Sequence, residues 1–312
     1  MKKNNILDIV IVNWNSGDLL KRCVDSIQSA NIAVPGKLVV VDNGSSDNSV
    51  EPIMSMRGVQ LIKSESNLGF GGGCNRGAAQ GKAPFIIFLN PDIRFDPDTL
   101  EKLTSFITSD QLADDIGIIG VQLIGRDGQV QKNIACFPRY HHLFPRMLGL
   151  DHAFPDCFPP HFMKDIDYDH TQVVDQVPGA FFLVRRELFE RLGGFDEHFF
   201  MYYEDVDFSY RARLAGWNTL YIAEIPVQHM GGGTTEQIKD RRLFYSLRSR
   251  VVYIGKHFGH VRAFVLIIGI LILEFPARLI RALVHFSFDE LSAITKALGL
   301  FIVNLPEVIR KL

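Results

Sequence analysis

Three short stretches, "LDIVIVNW", "KLVVVDNGSSD" and "PFIIFLNPD", share one pattern: a tight apolar run followed at once by a polar cluster. Runs this short and this continuously apolar suit strands buried on both faces, as in a parallel sheet. Between them the period changes. In "GDLLKRCVDSIQSA", Leu19, Leu20, Cys23, Val24 and Ile27 fall at helical intervals. "VQLIKSE" reads as a further strand, and "FGGGCNRGAAQG" as a glycine-rich turn leading into a helix. Strands alternating with helices build an α/β fold, a doubly wound, mostly parallel sheet flanked by helices, whose ligands sit at the carboxyl ends of the strands. "NWNS", "DNGSSD" and "NPD" all fall at such ends.

Farther along, residues 125–176 are irregular and rich in Pro, His and Phe. A long loop with short helices is expected there, of the kind that serves as a lid or binding segment. Regular structure resumes in "RRELFERLGG", a helix closed by Gly193 or Gly194, then "EDVDFSYRARLAG", a helix stopped by Gly216, then the strand "TLYIAEIPVQHM". The net charge of −2 speaks against a nucleic-acid partner, but it hides an asymmetry. Residues 239–312 carry 12 Lys and Arg against 5 Asp and Glu, a net of +7, and the remainder stands at −9. This places a boundary between a body at 1–238 and a basic helical extension at 239–312. The cysteines Cys23, Cys74, Cys136 and Cys157 form no CxxC pair and read as free thiols without a zinc site. The N-terminal run "ILDIVIVNW" carries Asp8 and no cleavage site, so it reads as a strand and not a signal peptide.

Several polar residues are placed for chemistry. Asp92, at the end of "LNPD", is where a carboxylate can hold a divalent cation, although the same tetrapeptide also reads as a turn. Asp42, at the end of "VVVD", can accept a hydrogen bond from a nucleobase imide or a ribose hydroxyl; capping and turn chemistry is the alternative, with Asp47 as a helix N-cap. In "NLGFGGGCNRG" the dinucleotide fingerprint fails on spacing, because Cys74 or Arg76 stands where the third glycine belongs. Those glycines admit close approach to a ligand, and Arg76 can reach a phosphate or base. His229, at a strand end before three glycines, reads as a structural histidine or as the imidazole of an oxygen-rich metal site. In "FFMYYEDVDFSYRARLAGW", Glu204, Asp205 and Asp207 crowd the first turn of a helix. The helix dipole favours negative charge there, and Asp207 can pair with Arg211. Helix-start chemistry does not explain a Glu-Asp pair pressed against five apolar or aromatic residues. An apolar surround raises a carboxylate's pKa and makes it a better base.

Taken in order, "IVNWN", "VVVDNGSSD", "NLGFGGGCNRG", "LNPD", "PGAFFLVRRELFERLGGFDEHFFMYYEDVDFSYRARLAGW" and "HMGGGTT" resemble the family 2 glycosyltransferases of the GT-A fold, most of all their bacterial rhamnosyltransferase branch. The resemblance covers about residues 6–235 and is most specific from Pro178 to Trp217. It implies an inverting transfer from a nucleoside-diphosphate sugar, with Mg²⁺ or Mn²⁺ as cofactor. Asp92 matches the last residue of the family's metal motif, whose first Asp is replaced by Asn90, and His229 matches a metal-proximal histidine. Asp42 matches the nucleotide-binding aspartate, and Asn13, Asn67, Gly69, Arg76 and Asn90 fall with it in the nucleotide-sugar-binding segments. Asp205 matches the catalytic base, with Glu204 orienting the acceptor or tuning Asp205 and Phe199–Tyr203 shaping the sugar pocket. The donor the branch implies is dTDP-L-rhamnose. A UDP-linked galactofuranose or hexose donor and a non-catalytic sugar-nucleotide-binding module are the alternatives. A nucleotidyltransferase would need an activating loop after the first strand that "NWNSGD" lacks.

In the extension, residues 239–262 hold seven Lys and Arg with one Asp and abut the apolar run 263–273. At 11 residues that run falls short of the roughly 20 a spanning helix needs. Beyond it Glu274, Arg278, Arg281 and His285 form one polar stripe, with a kink expected at Pro276. This suits a helix lying in a membrane interface, and it equally suits a helix that packs in a core or against a second copy of the chain. With the resemblance, it implies a peripheral enzyme on the cytoplasmic face of the plasma membrane whose acceptor is a lipid-linked saccharide.

Overall fold

The structure, a computed structural model, describes residues 5–163, 166–231 and 238–312. The second and third glycines after His229 and the two threonines that follow lie outside the described residues. In chain order the elements are β1 (Leu7–Asn13), α1 (Asp18–Gln28), β2 (Leu38–Asp42), β3 (Val59–Lys63), α2 (Gly69–Ala78), β4 (Phe85–Leu89), β5 (Ile93–Arg94), α3 (Thr99–Ile107) and β6 (Ile116–Ile124). There follow α4 (Tyr140–Met147), α5 (Leu150–Ala153), β7 (Gln172–Val174), β8 (Phe181–Arg185), α6 (Arg186–Arg191), α7 (Glu204–Leu214) and β9 (Asn218–His229). The chain closes with α8 (Lys239–Phe258), α9 (His260–Gly269), α10 (Phe275–Val284) and α11 (Phe288–Arg310).

The strands form one sheet in the order β3-β2-β1-β4-β8-β6-β9-β5, with β7 paired to β9. From β3 to β4 every pairing is parallel; beyond β4 the sheet is mixed, because β8 runs antiparallel to both β4 and β6. The chain leaves β1 towards β2 and later returns to place β4 on β1's other side. That reversal opens a crevice at the carboxyl edge. Alternate residues face opposite layers. Leu7, Ile9 and Ile11 pack with Leu20, Cys23 and Val24 of α1 and Leu100 and Leu103 of α3. Val10 and Val12 pack with Cys74 and Ala78 of α2 and Phe208 and Ala212 of α7. All four cysteines are free.

The glycines of α2 lie within the helix, not in a turn before it. They serve the sheet: a Cβ on Gly77 would stand 2.3 Å from Val10 Cγ1, and one on Gly73 2.7 Å from Val12 Cγ1. Asp47 caps no α-helix. Its carboxylate receives Gly17 N and Ser49, and a single 3-10 turn, Glu51–Ile53, follows. Asp207 pairs with Arg211 at 2.8 Å, and the guanidinium also donates to the carbonyls of Leu192 and Gly194.

The residues separate into two compact units. One holds the chain up to Cys136, Phe162–Glu197, and the chain from Glu204 through β9; the other holds Phe137–His161, His198–Tyr203 and the helices α8–α11. In the second unit α11 packs on α8. Arg250 of α8 meets the nearly solvent-excluded Glu274, whose other oxygen receives Arg278 at 2.7 Å. Helical structure runs on past the apolar run at 263–273, with a π turn at Ile270–Glu274 and Pro276 in the first turn of α10. The expected irregularity thus falls just before the proline, whose missing N–H the first turn tolerates. The expectation that this segment is too short to cross a bilayer is corrected. His260–Val284 (25 residues) and Phe288–Arg310 (23 residues), with mean hydropathy 2.3 and 1.4 over an 18-residue stretch of each, are long and apolar enough by length and composition. The run continues because Glu274 is drawn into its ion pair and Phe275, Ala277, Leu279 and Ile280 extend the apolar sequence. Val261, Val265, Ile268, Ile272, Ile280 and Val284 form one exposed stripe along it.

Candidate active site

Four of the sequence-expected clusters come to the same edge of the sheet, since β6 and β9 run parallel to β4 through the antiparallel β8. At the ends of β1 and β2, Asn13 stands directly beside Asp42. The Asn13 amide donates to Asp42 Oδ1 at 3.0 Å and to Ser45 Oγ and Ser49 Oγ at 3.1 and 2.9 Å, and its oxygen receives Ser16 Oγ. Asn13 is therefore fully engaged in organising the loop after β2 and orienting Asp42. Ser45 and Ser49 share that task; the sequence shows them only as part of a polar turn.

The second cluster lies before α2. Asn67 Oδ1 accepts Gly69 N at 2.9 Å, and Asn43 Nδ2 donates to Gly69 O at 2.8 Å, an interlock that sets Gly69 at φ +77°. Arg76 is exposed and donates to Ser64 Oγ at 3.1 Å, just past β3. Asn90 N donates to Ala180 O at 3.0 Å, tying the turn after β4 to the start of β8.

The third cluster is a carboxylate-imidazole pair. β5 pairs with β9 with Ile93 opposite His229, and Met230 N donates to Asp92 O at 3.0 Å. Asp92 Oδ2 thereby lies 3.4 Å from His229 Nε2. Gln131 fixes the imidazole from behind. Its amide nitrogen donates to His229 O at 3.1 Å, so its oxygen faces His229 Nδ1, at 2.7 Å. A carbonyl oxygen only accepts, so Nδ1 carries a hydrogen, and the neutral form of the ring that a metal would bind turns its Nε2 lone pair towards Asp92. Asp92 Oδ1 is buried without a hydrogen-bond partner among the described residues. A lone pair facing a carboxylate, beside an orphaned carboxylate oxygen, is a donor set that fits Mg²⁺ or Mn²⁺. Among the described residues no group of three or more His, Cys, Asp and Glu forms a cage, so Asp92 and His229 are the two candidate ligands these residues offer here. Nothing in the sequence marks Gln131, which lies within an irregular loop.

The fourth cluster opens α7. Asp205 Oδ2 accepts Gly179 N at 2.7 Å and Oδ1 accepts Val206 N at 2.8 Å. Burial raises the Asp205 carboxyl above the usual aspartate range, and these two donors limit the rise. Glu204 is buried deeper. Its Oε2 has no partner among the described residues, and below it Phe195 packs edge-on to Phe88 and Phe189 and tilted to Phe208. Burial, then the charge on Asp205, push the Glu204 carboxyl well above its ordinary value. Of the two carboxyls, Glu204 is raised further, because it is buried without a partner on Oε2 while Asp205 is held by two N–H donors.

Phe199–Tyr203, the segment expected to shape the sugar pocket, packs on α8 within the helical unit. Phe199 is fully buried with Lys256 over its ring, Phe200 packs on Tyr245, and Tyr203 packs on Tyr253. Helix α8 supplies a large apolar and aromatic face, and these rings gain more by burial against it than by facing water.

A mixed sheet of this order, with Asn13 and Asp42 at the ends of β1 and β2 and a carboxylate-imidazole pair after β4, is a GT-A-type fold. The chain matches the family described as glycosyl transferase family 2 over residues 8–193 and belongs to it. Its relatives place it in the rhamnosyltransferase-like branch. The N-acetylglucosaminyl-diphospho-decaprenol L-rhamnosyltransferase of Mycobacterium tuberculosis is 28% identical over 278 residues, covering 83% of this chain and 87% of its own. The rhamnosyltransferase WbbL of Escherichia coli is 26% identical over 259 residues, covering 80% and 92%. Among solved structures, the mannosyltransferase PcManGT from Pyrobaculum calidifontis, in complex with GDP-Man and Mn²⁺, shares the fold. Its TM-score is 0.53 at 12% identity, over 96% of this chain and 86% of that one.

Proposed function

We propose that the chain is an inverting, metal-dependent hexosyltransferase that moves L-rhamnose from dTDP-L-rhamnose to a hydroxyl of a lipid-linked saccharide, in polysaccharide synthesis on the cytoplasmic face of the membrane. The observation that carries the chemistry is the tethering of Asp205 by the N–H groups of Gly179 and Val206 beside the more deeply buried Glu204. A carboxylate fixed in direction is what a general base requires. Asp205 takes the proton of the acceptor hydroxyl as its oxygen bonds to the anomeric carbon. The bond from that carbon to the diphosphate breaks on the opposite side, so the configuration inverts. Asp92 and His229 would hold Mg²⁺ or Mn²⁺, which neutralises charge on the departing diphosphate. Asp42, oriented by Asn13, receives a hydrogen bond from the nucleoside. Asn67, Gly69, Arg76 and Asn90 line the donor side. The rhamnosyl donor and the lipid-linked acceptor rest on the names of the relatives.

Calorimetric titration with dTDP, UDP and GDP, each with and without Mn²⁺, tests this. Metal-dependent preference for dTDP is the expected result. A preference for UDP moves the donor to galactofuranose or a hexose, and binding of none of the three removes the enzymatic reading.

A further inference from the structure

Between α8, α10 and α11 lies a cavity of about 420 Å³ lined by Lys239, Arg242, Arg278, Arg281 and Glu290. Four cations face one carboxylate. Arg278 is engaged by Glu274, whereas the side chains of Lys239, Arg242 and Arg281 make no hydrogen bond or ion pair among the described residues. Cations gathered around a concave space repel one another, and an anion placed among them relieves that repulsion. The polar stripe is thus divided: Glu274 pairs with Arg250 and Arg278, and Arg281 lines the cavity with no such partner.

The helix that supplies Arg278 and Arg281 to the cavity also carries uncovered apolar residues. Ile280, Leu283 and Val284 of α10 are exposed, and Phe286 and Phe288 follow them at 81% and 74% exposure. A free phosphate would use the cations and leave these residues in water. A phosphate that carries a hydrocarbon tail uses both. We infer that this cavity is a headgroup site for an anionic phospholipid, whose phosphate sits among Arg242, Arg281 and Lys239 while its tails lie along the exposed residues of α10. The inference rests on the reading that the C-terminal helices meet a membrane, and it adds a discrete site to that reading.

The test is co-sedimentation of the full chain with vesicles of phosphatidylglycerol in phosphatidylcholine and of phosphatidylcholine alone. The wild type is expected to prefer the anionic vesicles. In the Arg242→Gln/Arg281→Gln variant that preference falls by about fivefold for each cation removed, while binding to phosphatidylcholine stays at the wild-type level. Arg241→Gln/Lys296→Gln removes the same charge from exposed positions outside the cavity and is expected to keep most of the preference. Equal losses in the two double variants would show diffuse attraction and overturn the site. Titration with inorganic phosphate separates the sources: saturation at the cavity with no effect of Arg242→Gln/Arg281→Gln on vesicles would make the occupant a free phosphate and overturn the lipid. Equal wild-type binding to both vesicles overturns the site alone. No wild-type binding to either overturns the membrane reading itself.

Discussion

His229 stands 3.4 Å from Asp92 through Nε2 while its Nδ1 is held 2.7 Å from Gln131 Oε1. The glutamine fixes the tautomer, and the tautomer aims a lone pair at the carboxylate. Gln131→Leu is expected to weaken Mn²⁺ binding in the presence of nucleoside diphosphate by about 10- to 100-fold, the range typical of lost outer partners. Asp92→Ala is expected to remove the metal dependence of nucleotide binding entirely. Calorimetry reads both without turnover, and an unchanged metal titration in Gln131→Leu would remove the tautomer argument.

Asp205→Asn is expected to lower kcat by about 10²- to 10⁴-fold, the usual worth of a general base, with donor affinity nearly unchanged. An amide can satisfy only one of the two N–H groups that Asp205 now receives, so a modest loss of thermal stability accompanies it. The wild-type rate should rise with pH through a value above the ordinary aspartate range, because burial lifts the carboxyl that must be ionised. Wild-type turnover by Asp205→Asn would remove the residue from the chemistry.

Glu204 predicts a pH dependence of stability. Its carboxyl is raised in the folded chain, so between the ordinary glutamate value and the raised one the folded state binds more proton than the unfolded state. Stability then falls as pH rises through that window. Glu204→Gln removes the charge that must be buried and should raise the denaturation midpoint above wild type on the alkaline side, with the gain shrinking towards acid. A difference independent of pH would mean that Glu204 is not the titrating group.

Part of this was legible in the sequence, and the divide follows physical range. β1, β2 and β4 announce themselves because a strand buried on both faces needs an uninterrupted apolar run, and the strand ends then place Asn13, Asp42 and Asp92 on one edge. The partners that tune these residues are long-range. Gly179 meets Asp205 only because β8 pairs with β4, and Gln131 meets His229 only because β6 and β9 are neighbours. The mixed half of the sheet was equally hidden, since a strand's direction depends on its partner and not on its own residues. The glycines of "FGGGC" misled for a related reason: their freedom was spent on packing α2 against Val10 and Val12. Gly77→Ala should therefore destabilise by about 1–3 kcal/mol, the cost of overpacking a filled core, and a denaturation curve matching wild type would refute it.

The backbone entering α7 is held under strain. Tyr202 and Tyr203 sit at φ +66° and +70°, a region that costs a non-glycine residue roughly 1–3 kcal/mol. Contacts within the helical unit offset that cost: Ser249 Oγ donates to Met201 O at 2.8 Å and Arg248 donates to His198 O at 3.0 Å. Tyr203 and Glu204 are adjacent in the chain, so the backbone that α8 fixes is the backbone that delivers the carboxylates. Ser249→Ala removes one donor from a fully buried position and should cost about 1 kcal/mol of stability. Its sharper signature is kinetic. A carboxylate delivered with less precision lowers kcat while leaving nucleotide affinity alone, because Asp42, Asn13 and Asp92 are set by other strands. Equal changes in kcat and in nucleotide Kd would mean that Ser249 supports the fold generally, and not the entry to α7.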